Sequence, residues 1–371
     1  MRWAFPLGLS AIAVLTLGWA RPTPVPLVSA ANPAPPTFSV AGGRLRIEVC
    51  ADDIVRVAFA NDDAFFARPS LMAAPKRCTS PAWKLTRAAN TATIATAKLR
   101  VSVDLKTGAM TFADAAGRPI AAEAGRSLTP ATVAGENTHN VSQRWAPNDG
   151  ERLYGLGQHQ QGLLDIKGTD LELRQYNGEI FIPLLVSSRG YGILWDNTSL
   201  TRFGSIDPPA WQEIPGTESG AVDHTLTYSA TVAGEHRIRV YSAGDIKVDA
   251  GGRPVIDHWR QGWLPGEDVG RVNLRAGETV PLRFRWKADI GVKIARVAFQ
   301  PPVANQATSL WSQVGDGVDY WCIHGPSLDR VISGYRQITG EPPMMPRWAF
   351  ALWQCRERYR TAAESVAVLD G

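Results

Sequence analysis

A chain of 371 residues, 44% hydrophobic and 20% charged, is long enough for two or three domains, and its composition excludes both intrinsic disorder and a multi-span membrane protein. Its 13 tryptophans, with 34 glycines and 26 prolines, predict turn-rich β structure rather than a helical bundle. The net charge of +4 includes Arg2 and Arg21 in an acid-free first thirty residues; the remaining 37 basic and 35 acidic side chains are evenly spread and predict no nucleic-acid or anionic-membrane partner.

At the N-terminus, Met1-Arg2 precedes an apolar stretch over 4–20 and a proline-rich run over 21–26, the order of a secretory signal. The stretch is shorter than the about 20 residues a membrane span needs, and it contains Pro6. Residues 1–30 are therefore predicted to be a signal peptide and 31–38 a proline-rich linker, with a secreted or periplasmic mature protein that has no membrane span. Cys50, Cys78, Cys322 and Cys355 are too few for a disulfide scaffold. An oxidising compartment permits one bridge, with Cys50 and Cys78 the nearest pair, and free buried thiols are the alternative. The six histidines (139, 159, 224, 236, 258, 324) are scattered and no CxxC occurs, so neither a metal nor a cofactor is expected.

Past the linker, 44–49 (RLRIEV), 54–60 (IVRVAFA) and 99–105 (LRVSVDL) alternate apolar and polar residues and read as half-buried strands, with turns at 106–108 and 116–119. Two further strands, 180–186 and 191–195, flank the turn Ser188-Arg189-Gly190. With no sustained helical period before 214, this part is predicted to be an antiparallel β-sandwich. From 216 the texture changes to short strands at 225–230, 236–242, 245–249, 271–274, 280–286 and 293–299, a second small sandwich ended by Pro301-Pro302. Residues 327–339 place Leu328, Val331, Ile332 and Tyr335 at helical spacing, with Gly340 as the stop. The apolar run 348–353 (WAFALW) then reads as a strand buried on both faces, and Thr361-Ala-Ala-Glu364 as a capping box opening a helix. Strand plus helix make the first unit of a parallel β/α barrel, which takes about 250 residues, so the chain is expected to be truncated.

Tyr154-Gly-Leu-Gly-Gln-His159, Leu173-Arg-Gln-Tyr-Asn-Gly-Glu-Ile180 and residues 182–197 (IPLLVSSRGYGILWDN) together resemble the N-terminal β-sandwich of glycoside hydrolase family 31, which contains α-xylosidases and α-glucosidases. Residues 319–336 (DYWCIHGPSLDRVISGYR) and 342–359 (PPMMPRWAFALWQCRERY) resemble that family's linker into its barrel and the first barrel strand. The middle segment is similar to the β-sandwich named after protective antigen, through 234–241 (GEHRIRVY), 246–249 (IKVD) and 252–259 (GRPVIDHW). Lectin-type members of that fold bind calcium and sugar through adjacent aspartates, where this chain has Ala243-Gly244-Asp245. The implied organisation is a mainly β chain: a family 31 sandwich over 39–215, an inserted sandwich over 216–302, a return and linker over 303–346, and the start of a truncated (β/α)8 barrel over 347–371.

The resemblance implies retaining hydrolysis by two carboxyl groups about 5 Å apart. In the family both are aspartates on later barrel strands, beyond residue 371, so no catalytic residue is assigned and this chain alone is expected to be inactive. The resemblance further implies that the 175–179 loop reaches over the barrel mouth, with Tyr176, Asn177 and Glu179 as substrate-binding residues: an aromatic plane for a sugar face, an amide and a carboxylate for hydroxyls. On the predicted barrel strand, Trp353, Gln354 and Arg356 fall at the C-terminal end, where barrel enzymes place their sites, while Cys355 alternates away into packing. Asp52-Asp53 and Asp62-Asp63 read as solvated turn and surface pairs. Trp211, Trp259, Trp263 and Trp311 are candidate sugar-stacking surfaces, with core packing as the alternative. The expected function is the N-terminal part of a secreted retaining α-glycosidase, an α-xylosidase acting on xyloglucan oligosaccharides, with an oligosaccharide or plant-type polysaccharide as partner. Alternatives are α-glucosidase specificity and a non-catalytic carbohydrate-binding or structural module; a mutarotase-like activity rests on sandwich architecture alone.

Overall fold

The computed structural model of the chain describes residues 34–370 apart from 75–76, 160–161, 176–178, 205–209, 303–307 and 354–357. The predicted signal peptide and Cys355 lie outside the described residues. Among the described residues the chain is mainly β, arranged in four antiparallel sheets.

The first sandwich packs a seven-stranded sheet on a nine-stranded one. In spatial order the former runs Thr37–Val40, Gly43–Ala51, Ile54–Ala60, Gly317–His324, Tyr191–Trp195, Ile180–Ser187 and Leu153–Gln158. The latter runs Leu171–Leu173, Thr201–Phe203, Thr308–Gly315, Glu136–Trp145, Pro119–Val133, Met110–Asp114, Leu99–Asp104, Thr91–Ala95 and Lys84–Arg87. The alternation read in the sequence points Leu45, Ile47, Val55, Val57, Leu99, Val101 and Val103 into one core, where Trp145 and Tyr320 meet edge to face at 5.4 Å. Both sheets are completed by strands that follow the second sandwich in sequence, Thr308–Gly315 and Gly317–His324, so the second sandwich is an insertion.

Gly317–His324 is buried along nearly its whole length because helix α1 (Leu328–Thr339) covers the sheet's other face. Ser327 caps α1 by accepting the Arg330 N–H, and the Gly340 N–H closes it on the Arg336 carbonyl. The stripe facing the sheet is Val331, Gly334 and Ile338, whereas Leu328 and Ile332 stay exposed. The glycine decides this rotation: a Cβ at Gly334 would lie 2.5 Å from Ile323 Cγ2, so its absence lets the helix settle against that strand. The same face is crossed by the segment leading to Cys78, which is joined to Cys50 by a disulfide. Closing a loop with a sequence separation of 28 stabilises the fold by about 3–4 kcal/mol. Cys322 is a buried free thiol, and burial pushes it up to about 12.

One aspartate departs from the solvated reading. Asp53 sits in a turn but is 2% exposed, taking hydrogen bonds from Lys98 Nζ (3.0 Å) and from Arg330 Nε and Nη2 (3.0 and 2.6 Å). Asp62 caps a short 3-10 turn and Asp63 pairs with Arg44.

The inserted sandwich packs Gln212–Glu213, Ala295–Gln300, Gly234–Ser242 and Gly266–Leu274 on a second sheet of Ala221–Ser229, Thr279–Lys287, Gly244–Ala250 and Arg253–Arg260. The strand Arg253–Arg260 escapes the sequence reading because Pro254 and its charged neighbours hide the alternation; it is an edge strand, where a proline is tolerated. Beyond α1, the run 348–353 is not a strand. Arg347–Phe350 form a 3-10 turn, and Trp348, Phe350 and Leu352 are exposed. Among the described residues no strand lies beside it, and an unpaired strand would leave its backbone groups unsatisfied. The helix after it is present as α2 (Ala362–Asp370), with the Glu364 N–H donated to Thr361 Oγ1 at 3.2 Å and the Glu364 carboxylate accepting the Arg360 N–H at 2.7 Å.

Candidate functional site

The Leu153–Gln158 strand begins as ordinary antiparallel pairing with Ile180–Ser187, then its register shifts between Gly155 and Gly157. Three successive residues take left-handed backbone: Gly155 (φ 95°), Leu156 (φ 62°) and Gly157 (φ 107°). A Cβ would lie 2.3 Å from the Leu184 carbonyl oxygen at 155, and 1.9 Å from that of Ile180 at 157. Only glycine fits either place, which is why the chain reads Gly-Leu-Gly there. Leu156 takes the uncommon conformation with its side chain fully buried, and that burial offsets a backbone cost of about 1–2 kcal/mol.

The bulge re-aims the strand end so that His159 meets the loop entering the next strand. His159 Nε2 donates to the Leu156 carbonyl at 2.9 Å, and Nδ1 lies 3.8 Å from Glu179 Oε2. Both side chains are largely buried, at 9% and 15% exposure. Gln175 spans the loop's base: its Nε2 donates to the Glu179 carbonyl (3.3 Å) and its Oε1 accepts the Phe181 N–H (3.1 Å). Gln175 and Glu179 are thus tied to each other and to the strand that follows, and the Glu179 carboxylate is held beside His159. Tyr176 and Asn177 lie outside the described residues, as do Gln354 and Arg356. Glu179 is at the loop, and Trp353 is in the exposed segment after α1, its ring against Trp348 at 5.5 Å and its Nε1 donating to the Ala349 carbonyl. Among the described residues, His159 and Gln175 are the side chains that hold Glu179 and its backbone, and neither is in the sequence-based set; the signal for both was their place inside the two motifs.

Beside this loop runs a groove of about 810 Å³ between the sheet and α1, lined by Gly157, Ile180, Ile182, Ile332, Tyr335 and Arg336. Its lining is mainly apolar, with Gln158, Arg336, Thr339 and Glu341 as polar members. Just before the loop in sequence, the inserted sandwich is clamped to residues 167–170. Arg237 donates to the carbonyls of Lys167 (2.8 Å) and Gly168, and Gln300 Nε2 to that of Gly168 (3.3 Å). Arg239, 5% exposed, forks onto Glu267 (2.6 and 2.8 Å) and also pairs with Asp170. The strand Leu171–Leu173 leads from this clamp directly into the 174–179 loop.

A strongly perturbed carboxyl lies elsewhere. Burial pushes Asp319 up to about 7 while the Arg56 fork (3.0 and 2.5 Å) pulls the other way. It lies in the sheet, and its two oxygens are both taken by Arg56, so it braces strands rather than facing a substrate. Among the described residues no three His, Cys, Asp or Glu side chains gather as a metal site would require. Among the described residues, Glu179, His159 and Gln175 therefore offer hydrogen-bond acceptors and donors around a single carboxylate, without the pair of carboxyl groups that acid–base hydrolysis uses.

Residues 44–203 match the model of the glycosyl hydrolase 31 N-terminal galactose mutarotase-like domain. The chain is 27% identical over 242 residues to an α-xylosidase of Saccharolobus solfataricus, covering 63% of this chain and 20% of that one. The fold is similar to the crystal structure of a GH31 α-xylosidase from Xanthomonas citri, with a TM-score of 0.74 and 31% identity over 91% of this chain and 43% of that one. It also matches a GH31 α-xylosidase from a soil metagenome complexed with xylose, at a TM-score of 0.55 and 20% identity, over 90% of this chain and 38% of the other. The chain spans less than half the length of each of these relatives.

Proposed function

Because this chain carries the N-terminal portion of a glycoside hydrolase family 31 protein, we propose that it forms the substrate-facing rim of a retaining α-glycosidase, an α-xylosidase by preference, whose catalytic carboxylates belong to the barrel of the longer relatives. The observation that carries this reading is the 31% identity across 91% of the chain to the Xanthomonas citri α-xylosidase. The pinned loop supports it: Glu179, held by His159 on one side and by the Gln175 clip at its base, is a pre-oriented acceptor for a sugar hydroxyl. Tyr176 and Asn177 are proposed to complete the same contact. Trp353, Gln354 and Arg356 keep their proposed place facing the substrate, the exposed indole of Trp353 being free to pack once neighbouring strands are present. Export is also proposed, from the N-terminal pattern, and the Cys50–Cys78 disulfide favours an oxidising compartment.

The test is hydrolysis of 4-nitrophenyl α-xyloside and α-glucoside by the complete gene product. A faster reaction with the xyloside is expected; faster turnover of the glucoside moves the assignment to α-glucosidase, and activity on neither overturns the reading. Glu179→Gln is expected to lower kcat/KM on a xyloglucan oligosaccharide at least tenfold, about 1.4 kcal/mol. An unchanged value would remove Glu179 from the rim.

A further inference from the structure

Four tryptophans were candidates for stacking on a sugar, and their surroundings separate them. Trp211 and Trp311 have their rings covered by the guanidinium groups of Arg239 (5.7 Å) and Arg202 (5.4 Å). Trp259 and Trp263 are 55% and 62% exposed, and among the described residues neither ring faces another aromatic or a cation.

Trp259 lies on the outer face of the inserted sandwich's Arg253–Arg260 sheet. The register places it beside Asp245, and Asp245 beside Lys287, so the three form one row across three strands. At about 4.8 Å between strands the row is about 10 Å long. The charges in the next two rows are paired with one another: Lys247 with Asp257 (3.0 Å) across one row, and Arg285 with Asp249 (2.6 Å) and Arg283 with Asp223 (2.6 Å) diagonally between rows. Asp245 and Lys287 are direct neighbours of opposite sign, yet neither makes a side-chain hydrogen bond or ion pair among the described residues. On a face laced with ion pairs, a carboxylate and an ammonium without side-chain partners stand in one row with an exposed indole. Trp263 follows in a turn fixed by the Val292 N–H on the Gly262 carbonyl (2.9 Å) and the Leu264 N–H on the Gln261 carbonyl (2.9 Å).

We infer that this row is a binding site for a neutral pyranose glycan, separate from the rim. An indole face takes the C–H face of a sugar ring, a carboxylate accepts from its hydroxyls and an ammonium donates to them. One charge of each sign in the row disfavours a strongly acidic or basic polymer, which would meet a like charge. The row shares no residue with the 174–179 loop, so it does not depend on the hydrolase reading.

The test is affinity electrophoresis of the chain through native gels containing soluble xyloglucan or dextran, with a plain gel as reference. Retarded migration in at least one glycan gel is expected, with Trp259→Ala at least tenfold weaker and Asp245→Asn and Lys287→Met severalfold weaker. The substituted positions project to solvent, and an unchanged unfolding temperature checks that the variants fold. Three results would each overturn the inference: no retardation in either gel, Trp259→Ala migrating like the parent, or a concentration-dependent self-association in plain gel that Trp259→Ala abolishes, which would assign the face to a second copy.

Discussion

Asp53 shows how a single side chain takes its role from residues far away in sequence. Burial alone would raise its carboxyl, but the hydrogen bonds and charges of Arg330 and Lys98 hold it below the ordinary aspartate range. The native state thus gives up this proton more readily than the unfolded chain, whose carboxyl titrates near about pH 4. The stabilisation is complete above that value and is lost as pH falls through the depressed native one. Asp53→Asn should lower stability at pH 7 by about 1–3 kcal/mol and flatten the dependence of stability on pH below about 4, measured by urea unfolding at pH 7 and pH 3. An unchanged acid dependence would show that another carboxylate carries it. Neighbouring acids in a turn are usually solvated, and nothing adjacent to Asp52-Asp53 in sequence marks one of them as buried; the marker is Arg330, 277 residues away.

Helix α1 is the element whose existence was most legible and whose orientation was least so. Its spacing, its Ser327 cap and its Gly340 stop are local features and appear where the sequence places them. The stripe it buries is shifted because Gly334 makes a contact that no hydrophobicity pattern registers. Gly334→Val should therefore cost about 1–3 kcal/mol by overpacking against Ile323, and Ile332→Ala, on the groove side, much less. Equal losses in thermal unfolding would mean that the helix packs by its other face. The run 348–353 marks the opposite case. Its composition is that of a buried strand, but a strand exists only through neighbours that take its backbone hydrogen bonds, and among the described residues it has none.

Across the whole molecule, Arg239 is where the two sandwiches are joined most firmly, with Asp170 of one and Glu267 of the other held on a single guanidinium. Arg239→Ala leaves two little-exposed carboxylates facing each other without their cation, a loss of about 3–5 kcal/mol at the junction. The expected sign is two separated urea transitions in place of one, together with proteolytic cleavage between the sandwiches. A single transition at the parent's midpoint would show that the carbonyl contacts of Arg237 suffice. The clamp lies just before the 174–179 loop, so the same variant is expected to loosen the proposed rim.

By itself the sequence determined the strand periods, the caps and turn residues of α1, and the motif blocks that mark a family 31 N-terminal sandwich with an insertion, because each of these is written in side chains a few residues apart. Only the tertiary structure decided which charges lose their water, which tryptophan faces are covered by guanidinium groups, and that the Gly-Leu-Gly bulge brings His159 against Glu179. Burial and pairing are properties of neighbours in space, and in a β-sandwich those neighbours come from strands that can be hundreds of residues apart along the chain.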